Sequence, residues 1–212
     1  VNTFVHVNNS CRFISNGVLM CLNGTGILYR WLRNNFFTTN SYQQMNDYAS
    51  SIPIGSDGLN VLPFGNGAER TLNNININAS IDGLNFNIHS NKHLIRAAIE
   101  GIVFGFNYGL ESMKAMGIPV NLIRAGFSNM FQCPVFVQTL ANITNVHIEL
   151  FNTDGSIGAA RGSGIGCGLY KDYSNAFQNL KTVNKVQPNE NEKEQTIESY
   201  KQWEVLLNNK LN

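Results

Sequence analysis

VNLIRAGFSNMFQCPVFVQTLANITNVHIELFN, residues 120–152, decides the class of the fold. Apolar residues of extended character occur at residues 120–126 and again at 146–152, which predicts two strands. Between them a helical pattern starts at Pro134, a residue type favoured in the first turn of a helix, and continues to Thr144. A strand, a helix and a second strand in this order predict a parallel pair within an α/β layer structure.

The residues before this unit repeat the alternation of strands and helices. Polar and apolar side chains alternate over residues 1–7, as in a half-buried strand, and the apolar run within residues 12–22 is typical of a strand covered on both faces. The turn NGTG, residues 23–26, precedes a helical pattern, and residues 58–64 predict a short buried strand. We therefore expect a largely parallel sheet.

The longest predicted helix covers residues 91–116, where apolar side chains recur every three or four positions. Gly101, Gly105 and Gly109 recur every four residues and therefore lie along one stripe of this helix. Each glycine costs about 1 kcal/mol of helix stability relative to alanine. We expect another backbone to press against the stripe, because close approach is what glycine permits.

A second glycine-rich stretch, FNTDGSIGAARGSGIGCGLY, covers residues 151–170. It matches neither of the two common nucleotide-binding fingerprints, the dinucleotide-binding glycine motif and the P-loop. Gly158, Gly162 and Gly166 again recur every four residues, and Asp154 is placed to cap a helix. We predict a close-packed helix here, with the glycine stripe of the long helix as its candidate partner.

The composition changes at residues 173–212. Residues 185–193 are charged and contain a proline, which predicts a linker, and the last residues form an amphipathic pattern that includes Tyr200 and Trp203. We expect this final helix to dock on the domain formed by residues 1–172.

Two turns that follow predicted strands are the better candidates for ligand binding, because ligands of open α/β sheets lie where strands end and helix N-termini present free N–H groups. The NGTG turn offers the backbone amides of Gly24 and Gly26 to phosphate oxygens. The AGFSNMF turn joins Gly126, Ser128 and Asn129 to apolar side chains that suit an adenine. Two ordinary turns would have the same composition, so both interpretations remain open.

Other polar clusters predict structural roles. His89 and His93 lie one helical turn apart but lack a third ligand of suitable spacing, so we expect them to cap and pack rather than to bind a metal. Glu69 and Arg70 form either a local ion pair that organises a loop or part of a site. The sequence offers no arrangement of nucleophile and base that predicts a hydrolase.

The composition excludes several classes of partner. A formal net charge of +1 gives no electrostatic basis for binding nucleic acid or an anionic membrane. Apolar runs stay shorter than the roughly 18 residues that a membrane-spanning helix needs. The four cysteines have neither zinc-site nor disulfide-framework spacing, which predicts buried free thiols in a reducing cytoplasm. A chain that starts at Val1 within a strand pattern suggests a fragment.

Five segments, in the correct order, resemble the FGGY family of carbohydrate kinases. They are NGTGILYRWLR, LPFGNGAERT, HSNKHLIRAAIEGIVFGF, LIRAGFSNMFQCPVFVQTLANIT and TDGSIGAARGSGIGCGLY. Each match alone is weak, whereas five in order make a specific resemblance over about residues 1–170.

The resemblance implies an α/β fold of the actin-like ATPase, ribonuclease H-like type, with a mixed sheet flanked by helices. It implies ATP and Mg²⁺ bound in a cleft between two domains and a ketopentose as phosphoryl acceptor. Residues 1–172 would be the second, nucleotide-binding domain. The absent first domain would supply the sugar contacts and the catalytic aspartate, so this chain would hold no catalytic residue. The full-length enzyme would be cytoplasmic, and a homodimer is compatible with it.

By the same resemblance, Gly24 and Gly26 would lie against the phosphates of ATP. Ser128 and Asn129, with Gly126 nearby, would hold the ribose or the adenine. The family's G-G-G-A segment is replaced here by Gly-Phe-Ser-Asn-Met, so the individual contacts differ from the family pattern.

Glu69 and Arg70 match the family's G-E-R motif and are interpreted mainly as structural. Two other functions remain as alternatives to the kinase. One is a non-catalytic actin-like module that binds a nucleotide or a partner protein. The other is a dinucleotide-binding oxidoreductase domain, which the glycine content suggests but the missing fingerprint opposes.

Overall fold

The computed structural model describes residues 2–6, 9 and 11–212. Those residues form seven strands and seven α-helices, joined by loops and short 3₁₀ turns. The strands are β1 (Asn2–Val5), β2 (Asn16–Leu19), β3 (Asn60–Leu62), β4 (Ser80–Asp82), β5 (Leu122–Gly126), β6 (His147–Phe151) and β7 (Thr182–Val186). The helices are α1 (Thr25–Phe36), α2 (Tyr42–Ser50), α3 (Asn91–Ala115), α4 (Pro134–Thr144), α5 (Gly155–Gly166), α6 (Tyr173–Phe177) and α7 (Glu190–Leu211).

The strands form three small sheets rather than one. β1 pairs with β2 and β3 with β4, both antiparallel, whereas the third sheet has the order β5-β6-β7. β5 and β6 are parallel, joined through α4 as predicted, and β7 is antiparallel to β6. The expectation of a largely parallel sheet is therefore wrong, because β5–β6 is the one parallel pair among the described strands.

β1 and β2 also differ from the sequence prediction. β1 covers Asn2–Val5, while Val1 and Val7 of the predicted strand lie outside the described residues. β2 was expected to be covered on both faces, but its four residues are exposed or half-buried. Its apolar character is explained by the hairpin with β1 and by Met20 and Leu22, which follow the strand and pack on α3.

The core is built around α3. Its buried residues contact α1, α2, α4, α7 and β3, so one helix joins most of the layers. The Ser90 side chain begins the helix in a capping box with His93, in agreement with the capping role predicted for His93. The apolar part of the core includes Leu32, Met45 and Phe136.

The backbone of another element packs against the glycine stripe of α3. A Cβ on Gly101 would overlap with the carbonyl oxygen of Val61 in β3, while Gly105 and Gly109 are filled by the side chains of Leu22 and Met20. The prediction of close approach is confirmed at Gly101, and the partner is β3 rather than α5.

The prediction of a close-packed α5 is wrong. A Cβ added at Gly158, Gly162 or Gly166 would have no atom within 4 Å among the described residues, so this stripe faces open space. α5 does begin as predicted, since the Asp154 carboxylate accepts a hydrogen bond from the backbone N–H of Ile157 at 2.8 Å. Four-residue glycine spacing alone therefore does not reveal what, if anything, packs on a helix.

The C-terminal residues join the same core. The linker predicted over residues 185–193 is wrong, because Lys185 and Val186 belong to β7 and α7 begins at Glu190. The docking of the final helix is confirmed by Trp203, which is fully buried and donates from Nε1 to the carbonyl oxygen of Val61 at 2.9 Å. β7 contributes to the third sheet through its ladder with β6.

Two further sequence predictions can be compared with the structure. All four cysteines are free, but only Cys133 is buried, whereas Cys11 and Cys167 are exposed. Among the described residues, none of the helices combines the length and apolar character that crossing a membrane would demand.

Alanine substitution at two helical glycines distinguishes the effect of close packing on stability from the effect of helix propensity. We expect Gly101→Ala to lower the free energy of unfolding by about 2 kcal/mol, because the new methyl group overlaps with the Val61 carbonyl. Gly158→Ala is the matched control and should raise it by about 0.5–1 kcal/mol, since the position is helical and open. Urea denaturation measures both, and equal effects would contradict the packing described here.

Candidate functional site

The first candidate turn lies at the start of α1. Gly24 is the N-cap residue and is buried, and a Cβ there would overlap with the carbonyl oxygen of Pro63. Gly26 is exposed and has no atom near its missing Cβ. Within the described part of the chain, no side chain caps this helix. The first-turn amides are thus available, with the positive end of the helix dipole, to an anion.

Glu69 holds this turn in place. It is 1% exposed, and its carboxylate accepts from the backbone N–H of Asn23 at 2.8 Å and from that of Thr71 at 3.3 Å. The hydroxyl of Thr71 in turn donates to the carbonyl oxygen of Cys21 at 3.2 Å. Glu69 therefore organises a loop, as predicted, but it does so through backbone amides. Arg70 is exposed, and the described residues show no ion pair between the two side chains.

The second candidate turn follows β5. A Cβ on Gly126 would overlap with the carbonyl oxygen of Thr153, so glycine is required where the ends of β5 and β6 come together. Ser128 precedes the short 3₁₀ turn Asn129–Gln132. Asn129 has a φ of 51°, a left-handed conformation that asparagine tolerates better than most residues. The backbone of this turn is thus specified by two positions.

The two turns meet at a cavity of about 290 Å³ that contains both Gly26 and Asn129 in its wall. The wall is completed by residues of α1, α2 and the turn before α4, among them Tyr29, Arg30, Asn46 and Gln132. Gly126 and Ser128 belong to the second turn but do not line this cavity. Gly24 lines a different, mainly apolar cavity of about 460 Å³. The structure thus brings together two of the five predicted site residues.

Most residues that line this cavity were not predicted from the sequence, among them Tyr29, Arg30 and Asn46. Arg30 lies four residues after Gly26 and hence on the same helical face, a spacing that could have revealed it. Tyr29 and Asn46 are buried and hydrogen-bonded, with the phenol donating to Oδ1 of Asn46 at 2.7 Å. Burial raises the pKa of Tyr29 far above its ordinary value, so its hydroxyl remains a donor. The approach of α2 to α1 has no local sequence signal.

Two carboxylates that lie within the family-like segments, those of Asp154 and Glu100, have structural roles. Asp154 caps α5, and hydrogen bonds from Ser156 and from the Ile157 N–H lower its pKa. Glu100 is 2% exposed and pairs with Arg96 at 2.7 Å, close to the backbone of Gly55.

Metal binding is not supported by these residues. His93 bonds to Asp57 at 3.1 Å and caps α3, and no group of three or more His, Cys, Asp or Glu suitable for a metal occurs in the described ranges. Magnesium prefers carboxylate and phosphate oxygens, and no carboxylate lines the 290 Å³ cavity among the described residues. The chain's own side chains therefore do not fit Mg²⁺ at this position.

Comparison with known proteins agrees with the resemblance in the sequence motifs. The model of the C-terminal domain of the FGGY family of carbohydrate kinases matches residues 14–163. Xylulose kinase of Staphylococcus epidermidis is 28% identical over 180 residues, which cover 82% of this chain and 35% of that protein. Gluconokinase of Bacillus subtilis is 30% identical over 115 residues, 49% of this chain and 22% of that protein.

Comparison with solved structures also finds carbohydrate kinases. The crystal structure of xylulose kinase from Rhodospirillum rubrum superposes with a TM-score of 0.76 over 90% of this chain and 39% of that chain, at 22% identity. The predicted actin-like α/β fold with a mixed sheet flanked by helices is confirmed. The chain spans about a third of the length of the first curated relatives that it matches.

Replacement of Glu69 tests how the first turn is held. Glu69→Ala should lower the free energy of unfolding by about 2 kcal/mol, because the half-buried N–H of Asn23 loses its acceptor. Hydrogen exchange of the Asn23 amide should accelerate. The neighbouring exposed Arg70→Ala serves as control and should change stability by less than about 0.5 kcal/mol. Unchanged exchange at Asn23 in the Glu69 variant would mean that other contacts hold the turn.

Proposed function

Because the chain belongs to the FGGY family of carbohydrate kinases and matches the C-terminal domain of that family, we propose that it is the ATP-binding half of a sugar kinase. The whole enzyme would transfer the γ-phosphoryl group of ATP to a sugar hydroxyl. The observation that carries the proposal is the cavity shared by Gly26 and Asn129. At about 290 Å³ it has room for the base and ribose of a nucleotide, with the phosphates extending outward.

The residues at this cavity fall into two groups, one suited to the phosphates and one suited to the ribose or base. Gly26 and the free amides of the first turn of α1 face the phosphates, where the helix dipole favours negative charge. Arg30 adds a positive side chain on the same face. Asn129, with Ser128 close by in the chain, faces the ribose or base.

Gly24 and Gly126 determine the backbone conformation of the two turns. Each occupies a position where a Cβ would overlap with a carbonyl oxygen, that of Pro63 for Gly24 and that of Thr153 for Gly126. Their contribution to nucleotide binding is therefore the shape of the backbone, and direct contact falls to their neighbours.

The rest of the catalytic apparatus belongs to another part of the enzyme. Phosphoryl transfer needs a base for the acceptor hydroxyl and neutralisation of the phosphate charges, and the carboxylates of Asp154 and Glu100 are engaged in structural contacts. We assign the catalytic aspartate and the magnesium ligands to an upstream half. Closure of the two halves would exclude water from the transferred group.

The acceptor that we propose is D-xylulose, giving xylulose 5-phosphate. The segments IRAG, NMF and PVF between residues 123 and 137, and ELFNTDGSIGAARG after them, are closest to xylulokinase-like members of the family. A gluconokinase among the relatives indicates that this domain is shared by enzymes with different acceptors. Specificity therefore lies with the other half. A cytoplasmic location is supported by the four free cysteines.

Valine at Gly26 tests the nucleotide site. The position is open, so the side chain should leave stability nearly unchanged and fill the cavity. We expect ADP affinity, measured by isothermal titration calorimetry, to fall about tenfold or more, which corresponds to about 1.4 kcal/mol. Gly158→Val, equally open but on α5, is the matched control. Equal ADP affinity in both variants would contradict the site.

Activity of the isolated chain tests the division of labour. The 212 residues should bind adenine nucleotides weakly and give no sugar phosphorylation above background in a coupled assay. The full-length enzyme, screened against ketoses, polyols and aldonates with ATP, should phosphorylate xylulose. Robust turnover by the 212-residue chain would refute the assignment of the catalytic base to another part of the enzyme.

A further inference from the structure

We propose that Asn46 recognises the base of the nucleotide by donating a hydrogen bond from Nδ2 to a ring nitrogen, an inference that rests on the function proposed above. Asn46 lies on α2, is 6% exposed and lines the same cavity as Gly26 and Asn129. It belongs to none of the motifs that resemble the kinase family.

The orientation of the Asn46 amide is set by Tyr29. The phenol of Tyr29 donates to Oδ1 at 2.7 Å, and the ring is itself held by a stacked contact with Tyr42 at 5.6 Å between centroids. Because Tyr29 is 5% exposed and contacts both Tyr42 and Asn46 of α2, this hydrogen bond has little freedom. With Oδ1 engaged, the two N–H groups of Nδ2 point the other way.

The Nδ2 atom has no hydrogen-bond partner within the described part of the chain. Every fully buried side-chain nitrogen or oxygen there has such a partner, so the unpaired Nδ2 retains accessible surface, and Asn46 lines the cavity. Leaving a nearly buried donor of this kind without a hydrogen bond costs free energy. A ligand that offers an acceptor at this point would remove that cost.

The surroundings favour an aromatic base over a phosphate as that ligand. Beside Asn46 the wall includes Tyr42, Met130 and Cys133, which present aromatic and sulfur surface. The positive end of α1 and Arg30 lie on the helix that carries Gly26, where the phosphates are assigned. Adenine offers unprotonated ring nitrogens as acceptors, and its flat faces suit an apolar wall.

Aspartate at position 46 provides an almost isosteric test. Asn46→Asp keeps an oxygen for the Tyr29 hydroxyl and converts the donor into an acceptor. Titration calorimetry should show ADP binding about tenfold weaker than to the wild-type chain. Asn35→Asp, at an exposed position of α1 outside the cavity, introduces the same charge and should leave the affinity within about twofold. Thermal melting followed by circular dichroism verifies that each variant is folded.

Base analogues extend the test without altering the protein. Among the 1-deaza, 3-deaza and 7-deaza analogues of ADP, one should bind the wild-type chain about tenfold more weakly, because it lacks the accepting nitrogen. That loss should disappear in Asn46→Asp, as expected for two partners in one contact.

The outcomes separate the two proposals. Unchanged ADP affinity in a folded Asn46→Asp chain, or equal affinity for ADP and all three analogues, overturns the role of Asn46 and leaves the nucleotide site intact. A folded wild-type chain that binds no ADP at all overturns the nucleotide site and this inference together. If the aspartate variant does not fold, the analogue series on the wild-type chain alone decides.

Discussion

The carbonyl oxygen of Val61 is the point on which the packing of this domain depends. Gly101 brings the backbone of α3 against it, and Trp203 of α7 donates to it at 2.9 Å, so a strand and two helices meet at one atom. Two residues later, the carbonyl of Pro63 receives Gly24 at the start of α1. One short segment, β3 and the residue after it, therefore positions the core and the first candidate turn together.

The candidate site depends on this packing indirectly, through the first candidate turn. Glu69 ties the same turn to the loop after β3 through the N–H of Asn23. The Tyr29–Asn46 hydrogen bond then joins α1 to α2 in the wall of the cavity, and Asn129, in the turn after β5, lines the same cavity. These contacts form within the chain itself, so a ligand of this cavity would find the two turns already positioned, which lowers the ordering cost of binding.

Elements with strong local signals were predictable from the sequence. The periodicity over residues 91–116 gives α3 to within one residue at its C-terminal end, and Pro134 marks the start of α4. β7 was missed because its short, mostly polar sequence resembles a linker, and nothing in that sequence reveals its pairing with β6. Gly26 and Asn129 could be chosen from turn chemistry, whereas Asn46 could not, because its position in the cavity depends on how two helices pack.

The central claim is that an adenine nucleotide binds between the first turn of α1 and the turn after β5. A crystal structure of the 212-residue chain grown with ADP tests it most directly. The account predicts density for the base and ribose in the cavity between Gly26 and Asn129, with the phosphates at the N-terminus of α1. Well-defined ADP elsewhere on the domain, with that cavity empty, would contradict it.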